Sequence, residues 1–275
     1  MSLYPFGIIT SHMSESLLEH RKAVKVPTPW GDANLYTGQI GGINSVVFLR
    51  YGDHADQASH LVNFRANLWG MRELGVTQVV SQNAIGSCNP HVRPGDFMVP
   101  DDAMDFTKNR VRSFFENDSC WVRVDMMEPF CGSLRKLLLD ACAAERISVH
   151  SSGTFVCTEG PRFETPAEIR FYGSIGGDII GTPLFPEVVL AKEAGMCYAS
   201  LAIVINMGTG LGPAIYQSGD DGLMTVYERT DMEQKVENIL RYVAGHLPEK
   251  RTCKCPEILE KGFWGKEPDW MKKDA

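Results

Sequence analysis

The segment EGPRFETPAE at residues 159–168, followed by TPLFPEVVLAKE at residues 182–193, carries the strongest fold signal in this chain. The first segment opens with a Gly-Pro turn and then presents a cation, an aromatic ring and a carboxylate in succession. Pro166 stands where a helix can begin, because proline is favoured at the first helical position. We therefore expect three different chemistries to meet at the start of a helix, which suits a ligand with a flat ring and polar edges.

Short β-branched runs alternate with longer helical patterns, which indicates an α/β fold. The predicted strands are 6–9, 45–49, 78–81, 96–99, 153–156, 178–181 and 199–205. The predicted helices are 61–74, 132–145, 166–175, 188–194 and 225–246. Several predicted strands run into polar residues, and open α/β sheets bind ligands at the carboxyl ends of their strands. We expect the functional side chains to cluster at that edge.

Composition fits one large domain, with two smaller domains as the alternative. The chain has 275 residues and is 44% apolar, enough for a substantial core. A formal net charge of −7 argues against a nucleic-acid partner, whose binding requires clustered Lys and Arg. No basic leader with a long apolar stretch is found, so we expect a soluble cytoplasmic protein without a membrane partner. We predict a domain at 1–248 and a tail at 249–275 that packs on the body or on a neighbouring subunit.

Eight cysteines are too dilute for a disulfide scaffold. Most lie in apolar or helical runs and are expected to be reduced and buried: Cys131, Cys142, Cys157 and Cys197. Cys253 and Cys255 form a Cys-x-Cys pair that can bind metal or form a redox pair. No second Cys or His pair lies near it at ligand spacing, so the pair is interpreted as a solvent-exposed coincidence, and no metal is predicted.

Further motifs share one family pattern. They are RYG at 50–52, HLVNFRANL at 60–68, NAIGS at 83–87, RPGD at 93–96 and MEPF at 127–130. Together with residues 159–168 and 182–193, they resemble the trimeric purine nucleoside phosphorylase and methylthioadenosine phosphorylase family, in family order from about residue 5 to about residue 245. The resemblance implies a single α/β domain with a central mixed, twisted β-sheet flanked by helices.

The resemblance also implies a reaction. In this family, inorganic phosphate attacks the anomeric carbon of a purine nucleoside and releases the free base and a sugar 1-phosphate, without a metal or organic cofactor. The transition state resembles an oxocarbenium ion. A protein therefore catalyses the reaction by holding phosphate beneath the sugar and stabilising the negative charge on the departing purine.

Two residues are expected to recognise the base. Asn206 falls where the family has its purine-binding Asn or Asp, and its amide can contact both N7 and O6 of a 6-oxopurine. Glu164 matches the glutamate with which 6-oxopurine-specific members accept a hydrogen bond from N1–H. The alternatives are a strand-end cap for Asn206 and an ordinary helix-start carboxylate for Glu164. Their joint occurrence at both base positions favours recognition of hypoxanthine or guanine.

The sugar pocket departs from the family pattern. Thr182 stands where a methionine usually packs on the ribose, while Phe163 supplies an aromatic face. Leu223 aligns with the residue at the 5′ end of the sugar, where an apolar side chain suits a 5′-methylthio group better than a hydroxyl. Core packing is the alternative role for Leu223.

The phosphate site departs further from the family pattern than the sugar pocket does. Family members carry a Gly-Gly-Ser/Thr-Gly turn after the first strand, whereas this chain has Thr10, Ser11 and His12, whose side chains can still donate hydrogen bonds. Arg50 keeps a guanidinium suited to bidentate binding of phosphate, although a tyrosine replaces the histidine that follows it in many members. Asn83 and Ala84 keep the turn whose backbone amide approaches the bound ligands.

The resemblance implies a homotrimer, or a dimer of trimers, in which residues 121–127, WVRVDMM, complete the active site of a neighbouring subunit. This composition is typical of interface cores, although an internal strand is also possible. Three functions remain open. The first is a phosphorylase for a 6-oxopurine nucleoside, including 5′-methylthioinosine; the second is a methylthioadenosine or other specialised phosphorylase, or a hydrolase, of the same fold. The third is a non-catalytic ligand-binding relative.

Overall fold

The structure, a computed structural model, describes residues 3–212 and 231–271. Thirteen strands are found in these ranges: β1 Phe6–Thr10, β2 Glu19–Val26, β3 Ala33–Ile40, β4 Ile43–Leu49, β5 Gln78–Ser87, β6 Phe97–Met98, β7 Asp102–Asp105, β8 Cys120–Val122, β9 Val149–His150, β10 Thr154–Cys157, β11 Ile179–Gly181, β12 Cys197–Met207 and β13 Phe263–Gly265. The α-helices in the same ranges are α1 Phe64–Glu73, α2 Gly132–Ala144, α3 Pro166–Ser174, α4 Glu187–Glu193, α5 Met232–Gly245 and α6 Ile258–Gly262. Short 3₁₀ helices are Ser59–Leu61, Cys255–Glu257 and Asp269–Met271.

Eleven of these strands form one mixed sheet. Its main path runs β2-β3-β4-β1-β5-β11-β10-β7, and β12 joins β5 to the short strands β6 and β9. β1 is parallel to β4 and β5, and β12 is parallel to β5, whereas β11 is antiparallel to β5. Strands β8 and β13 form a separate two-stranded sheet. The predicted α/β architecture with a central mixed sheet flanked by helices is confirmed.

Helices cover both faces of the sheet, which explains why its central strands are apolar on both sides. All five residues of β1 and the first eight of β12 are buried. One hydrophobic cluster contains Leu68 of α1 and Val188 of α4, and a second contains Leu138 of α2 and Ile239 of α5. Because β1 and β12 are both parallel to β5, the carboxyl ends of these three strands lie at the same edge of the sheet.

The sequence analysis missed the β2–β3 hairpin. β2 is EHRKAVKV, a charged and mostly exposed strand at the sheet edge, where basic side chains discourage pairing with another chain. The prediction for β5 ended too early, at Ser81, because the strand continues to Ser87 through the buried polar residues Gln82 and Asn83. In both places the hydrophobic pattern is a poor guide to backbone pairing.

The segment after α5 contacts the body. Arg251 donates hydrogen bonds to the carbonyls of Thr77 and Gly195, 3.2 and 2.7 Å away. The Trp270 ring lies 4.9 Å from that of Trp30. Leu223 and residues 225–230 of the last predicted helix lie outside the described residues. None of the described helices is long and apolar enough to cross a membrane.

Candidate active site

A cleft of about 350 Å³ opens where β1, β5, β11 and β12 end. Six of the residues singled out in the sequence line it: Ser11, Ala84, Phe163, Glu164, Thr182 and Asn206. The strands bring these residues together from five separate stretches of the chain. A mainly apolar cleft with a few convergent polar groups is the usual form of a small-molecule site.

A β-bulge positions Asn206. The register between β12 and β5 shifts between Val204 and Asn206, so that Asn206 pairs with Gly86. Bulges redirect side chains and are frequent beside active sites. The Asn206 side-chain nitrogen donates to the carbonyl of Met207 at 2.9 Å, and a Cβ at Gly86 would lie only 3.2 Å from that nitrogen. A glycine at position 86 therefore leaves room for the amide.

The carboxylate of Glu164 is held at the start of α3. The hydroxyl of Thr158 donates to it at 2.6 Å. The next residue, Thr165, caps α3 in a capping box with Glu168. Arg162, also in the cleft wall, pairs with Glu168 at 2.7 Å, and its hydrogen bond is the main reason that the pKa of Glu168 is lowered to about 2. The segment 162–164 thus presents the expected cation, ring and carboxylate at a helix start.

Gly160 lets this segment approach the opposite wall. Its φ is +68°, and a Cβ there would lie 2.5 Å from the hydroxyl of Ser59 and 2.7 Å from a methyl group of Thr182. Only glycine fits this position without strain. A second contact lies in the cleft wall that faces this segment: the hydroxyl groups of Tyr51 and Thr182 are 2.9 Å apart.

Arg50 is not on the cleft surface but in a buried polar network. Its guanidinium, 1% exposed, donates to Glu187 at 2.5 Å and to Ser81 and Asn83 at 3.0 and 3.1 Å. Burial alone would lower the pKa of Arg50, but attraction and hydrogen bonding to Glu187 outweigh it and raise that pKa. The pair is therefore ionised. Among the described residues, Nη1 of Arg50 has no hydrogen-bond partner.

Thr10 and His12 lie beside a different, small cavity against α5. The Thr10 hydroxyl is 2.5 Å from the side-chain oxygen of Gln82, and His12 Nε2 is 3.1 Å from a carboxylate oxygen of Glu233. Of the loop that replaces the family's glycine-rich turn, Ser11 alone lines the cleft. The structure thus separates Thr10 and His12 from the residues around Asn206, while Asn83 accompanies Arg50 in the buried network.

Arg110 was missed in the sequence. Its side chain is 2% exposed, and its two terminal nitrogens donate to four backbone carbonyls of the cleft wall. These carbonyls belong to Thr158, Glu159, Thr182 and Phe185. Arg110 therefore ties residues 158–159 to 182–185, the two segments that carry the strongest family signal. It lies in an irregular stretch without a motif, so no local signal identified it.

The comparisons with known proteins agree with this geometry. The family model described as Phosphorylase superfamily matches residues 8–241. The chain therefore belongs to the phosphorylase superfamily.

Individual relatives cover nearly the whole chain. A 6-oxopurine nucleoside phosphorylase of Pyrococcus furiosus is 37% identical over 88% of this chain and 92% of its own. A probable S-methyl-5′-thioinosine phosphorylase of Methanopyrus kandleri is 38% identical over 89% and 93%. Among solved structures, a methylthioadenosine phosphorylase sourced from an Antarctic soil metagenomic library superimposes with a TM-score of 0.87 at 27% identity, over 96% of this chain and 93% of that one.

Proposed function

We propose that this protein is a purine nucleoside phosphorylase that cleaves the N-glycosidic bond of a 6-oxopurine nucleoside. Inorganic phosphate is the nucleophile, and the products are the free base and a pentose 1-phosphate. The observation that carries the proposal is that Asn206 and Glu164 line the same cleft. The relative from Pyrococcus furiosus, named a 6-oxopurine nucleoside phosphorylase, supports it.

Asn206 and Glu164 recognise different atoms of the base. The Asn206 amide donates to N7, where negative charge develops as the bond breaks, and so stabilises the departing purine. The Glu164 carboxylate accepts a hydrogen bond from N1–H of hypoxanthine or guanine. Adenine offers an acceptor at N1, which leaves this carboxylate without a donor. The hydrogen bond from Thr158 supports the role because it fixes the carboxylate in place.

The phosphate is bound at the cleft surface by Ser11 and the backbone amide of Ala84, and Arg50, in the buried network against Asn83, becomes a third donor when the anion enters. Ser11 and Ala84 line the cleft, and Nη1 of Arg50 is a buried donor without a hydrogen-bond partner in the part of the chain that the structure describes. A buried donor without a partner is costly, and a phosphate oxygen would satisfy it. The reaction requires no metal or organic cofactor, since phosphate supplies the nucleophile and the protein supplies orientation and charge.

The sugar lies between the Phe163 ring and the hydroxyl pair of Tyr51 and Thr182. A more polar wall than a methionine provides can hydrogen-bond the ribose hydroxyls. The name of the Methanopyrus kandleri relative includes a 5′-methylthio substrate, so 5′-methylthioinosine belongs among the nucleosides to test.

We further propose a homotrimer that acts in the cytoplasm in purine salvage. Trp121 is 44% exposed and stacks on Trp264, which is 56% exposed, while Met127 is 88% exposed. Exposed large apolar side chains of this kind are typical of an interaction surface. Light scattering should give three chains per particle, and activity per chain should fall on dilution below the dissociation constant. A fully active monomer would contradict the shared site.

One assay tests the reaction. Inosine, guanosine, adenosine and their 5′-methylthio forms are each incubated with and without phosphate, and the released base is quantified. We expect phosphate-dependent release, with kcat/KM for 6-oxopurine nucleosides at least about tenfold above that for adenine nucleosides, or about 1.4 kcal/mol. Release without phosphate would indicate a hydrolase. Preference for adenine would contradict the base assignment, and binding without cleavage would indicate a non-catalytic relative.

A further inference from the structure

The Cys-x-Cys pair is part of a group of four neighbouring cysteines. Cys253 and Cys255 meet two cysteines from distant parts of the chain, and all four sulfur atoms lie within 4.8 Å of one another. We call Cys131, Cys197, Cys253 and Cys255 the sulfur cluster. The expectation that the pair is solvent-exposed is wrong for Cys255, which is 8% exposed. Sequence spacing could not reveal the cluster, because the fold brings residues more than fifty positions apart together.

The geometry of the sulfur cluster matches a tetrahedral metal site. Zinc–sulfur bonds of about 2.3 Å in a tetrahedron separate the sulfur atoms by roughly 3.8 Å. In the structure the sulfur atoms of Cys197 and Cys253 are 3.3 Å apart, and no two of the four sulfur atoms are more than 4.8 Å apart. Each of the four cysteines is a free thiol. Four sulfur ligands in such an arrangement are typical of closed, structural zinc sites.

The N-terminus of α2 favours a thiolate at one member of the sulfur cluster. Cys131 is the N-cap of the thirteen-residue helix α2, where the helix dipole stabilises a negative charge.

A buried lysine contacts the segment that leads into Cys131. Lys192 is 6% exposed, and its ammonium donates to the backbone carbonyls of Asp125 and Glu128, at 2.9 and 2.6 Å. No carboxylate in the described ranges forms an ion pair with it. Buried charges are usually paired, and Glu128, whose carbonyl binds this ammonium, lies three residues before Cys131 in the chain.

We propose that the sulfur cluster binds one zinc ion as a tetrahedral, structural site. Binding removes one proton from each of the four thiols and leaves a centre of net charge −2, with no change of oxidation state. Lys192 compensates part of this charge. The site fastens the C-terminal segment, which lies outside the matched family model, to α2 and β12.

The zinc has no catalytic part in this proposal. All four ligands come from the protein, so no position is open for substrate. Cys197 is the first residue of β12, and Asn206 lies nine residues further on, about 30 Å away along an extended strand. The inference is thus independent of the proposed reaction.

The test is the metal content of the full chain, purified with a reducing agent and without chelators from cells grown with added zinc. We expect one zinc per chain by elemental analysis, and a native mass that exceeds the denatured mass by one zinc ion. The double variant Cys253→Ser/Cys255→Ser should retain at least about tenfold less zinc. Cys142→Ser, a buried cysteine of α2 outside the cluster, is the matched control and should retain all of it.

Other outcomes would overturn the proposal. A metal-free unmutated protein would do so, as would iron in place of zinc. In a parallel preparation of the unmutated protein without reducing agent, a denatured mass lower by two hydrogens per bond would instead identify the cluster as a pair of disulfides. Because these measurements use the unmutated protein, they remain decisive even if the double variant fails to fold.

Discussion

The hydroxyl groups of Tyr51 and Thr182 lie 2.9 Å apart and join the loop after β4 to the loop after β11 at the cleft wall. Both positions depart from the pattern that the chain otherwise resembles, which has histidine and methionine there. The structure shows that the two departures are in contact. They are therefore best understood as one paired change in the wall, rather than as two independent losses.

A double-mutant cycle tests this pairing. Tyr51→Phe and Thr182→Val each remove one hydroxyl and keep the shape of the side chain. We expect each to lower kcat/KM by about two- to tenfold, and the double variant to lose little more than either one, with a coupling energy of about 1 kcal/mol. Steady-state kinetics on the favoured nucleoside provides the measurement. Fully multiplicative losses would mean that the two hydroxyls act independently.

Arg50→Lys separates the two roles of this arginine, the ion pair with Glu187 and the binding of phosphate. The lysine keeps a positive charge for Glu187 but loses Nη1, the donor assigned to phosphate. We expect the KM for phosphate to rise at least about tenfold while the KM for nucleoside changes much less. Arg50→Ala is a poorer probe, because an unpaired buried carboxylate costs roughly 3–5 kcal/mol of stability. Equal increases in both KM values would contradict direct phosphate binding.

Asn206→Asp should shift the preference towards adenine nucleosides. A protonated aspartate can donate to N7 and accept from the 6-amino group, whereas the amide of Asn206 complements a 6-oxo group. We expect the ratio of kcat/KM values for inosine and adenosine to fall by about tenfold or more. Glu164→Gln is the companion variant, since it weakens acceptance from N1–H without altering the N7 contact. An unchanged ratio in both variants would remove the base assignment.

The sequence predicted the residues around the base better than those around the phosphate. Phe163, Glu164 and Asn206 lie in or next to regular elements with strong signals, and the structure brings them to one cleft. Thr10 and His12 were grouped with Ser11 because they are adjacent in the chain. Adjacent side chains on an extended backbone point to opposite sides, which a motif comparison does not register.

The long-range polar contacts could not be predicted from the sequence. Arg110 meets its four carbonyl partners only because distant loops converge, and the same holds for Arg50 and Glu187, which are 137 residues apart. Hydrophobic periodicity reports which face is buried, not which polar atoms meet inside. The fold class was therefore predictable, while the network that holds the cleft wall was not.

Arg110→Lys should disrupt the cleft wall. A lysine ammonium is a compact donor that cannot span the carbonyls now bound by the planar guanidinium, so several buried acceptors lose their partners. We expect a loss of about 3 kcal/mol in the free energy of unfolding and a higher KM for nucleoside. Urea denaturation and kinetics measure the two effects. Arg65→Lys, at a more exposed ion pair, is the control and should change neither strongly.

Glu193, the last residue of α4, gives the protein a pH-dependent stability. It is 2% exposed, and burial raises the pKa of its carboxyl to about 7, although the backbone amide of Phe114 donates to it at 2.8 Å. Between pH 4.5 and 7 the folded state therefore binds more protons at this group than the unfolded state. Its effect on stability is most favourable below this range and is lost as the pH rises to about 7.

Glu193→Gln should remove this dependence. Glutamine stays neutral and can still accept the hydrogen bond from Phe114, so the free energy of unfolding at pH 8 should rise by on the order of 1–3 kcal/mol, with little change near pH 4.5. Urea denaturation at several pH values measures the slope. Glu260→Gln, at an exposed position of α6, is the matched control and should leave the slope unchanged. Parallel stability curves for Glu193→Gln and the unmutated protein would show that this carboxyl is ionised in the folded state at neutral pH.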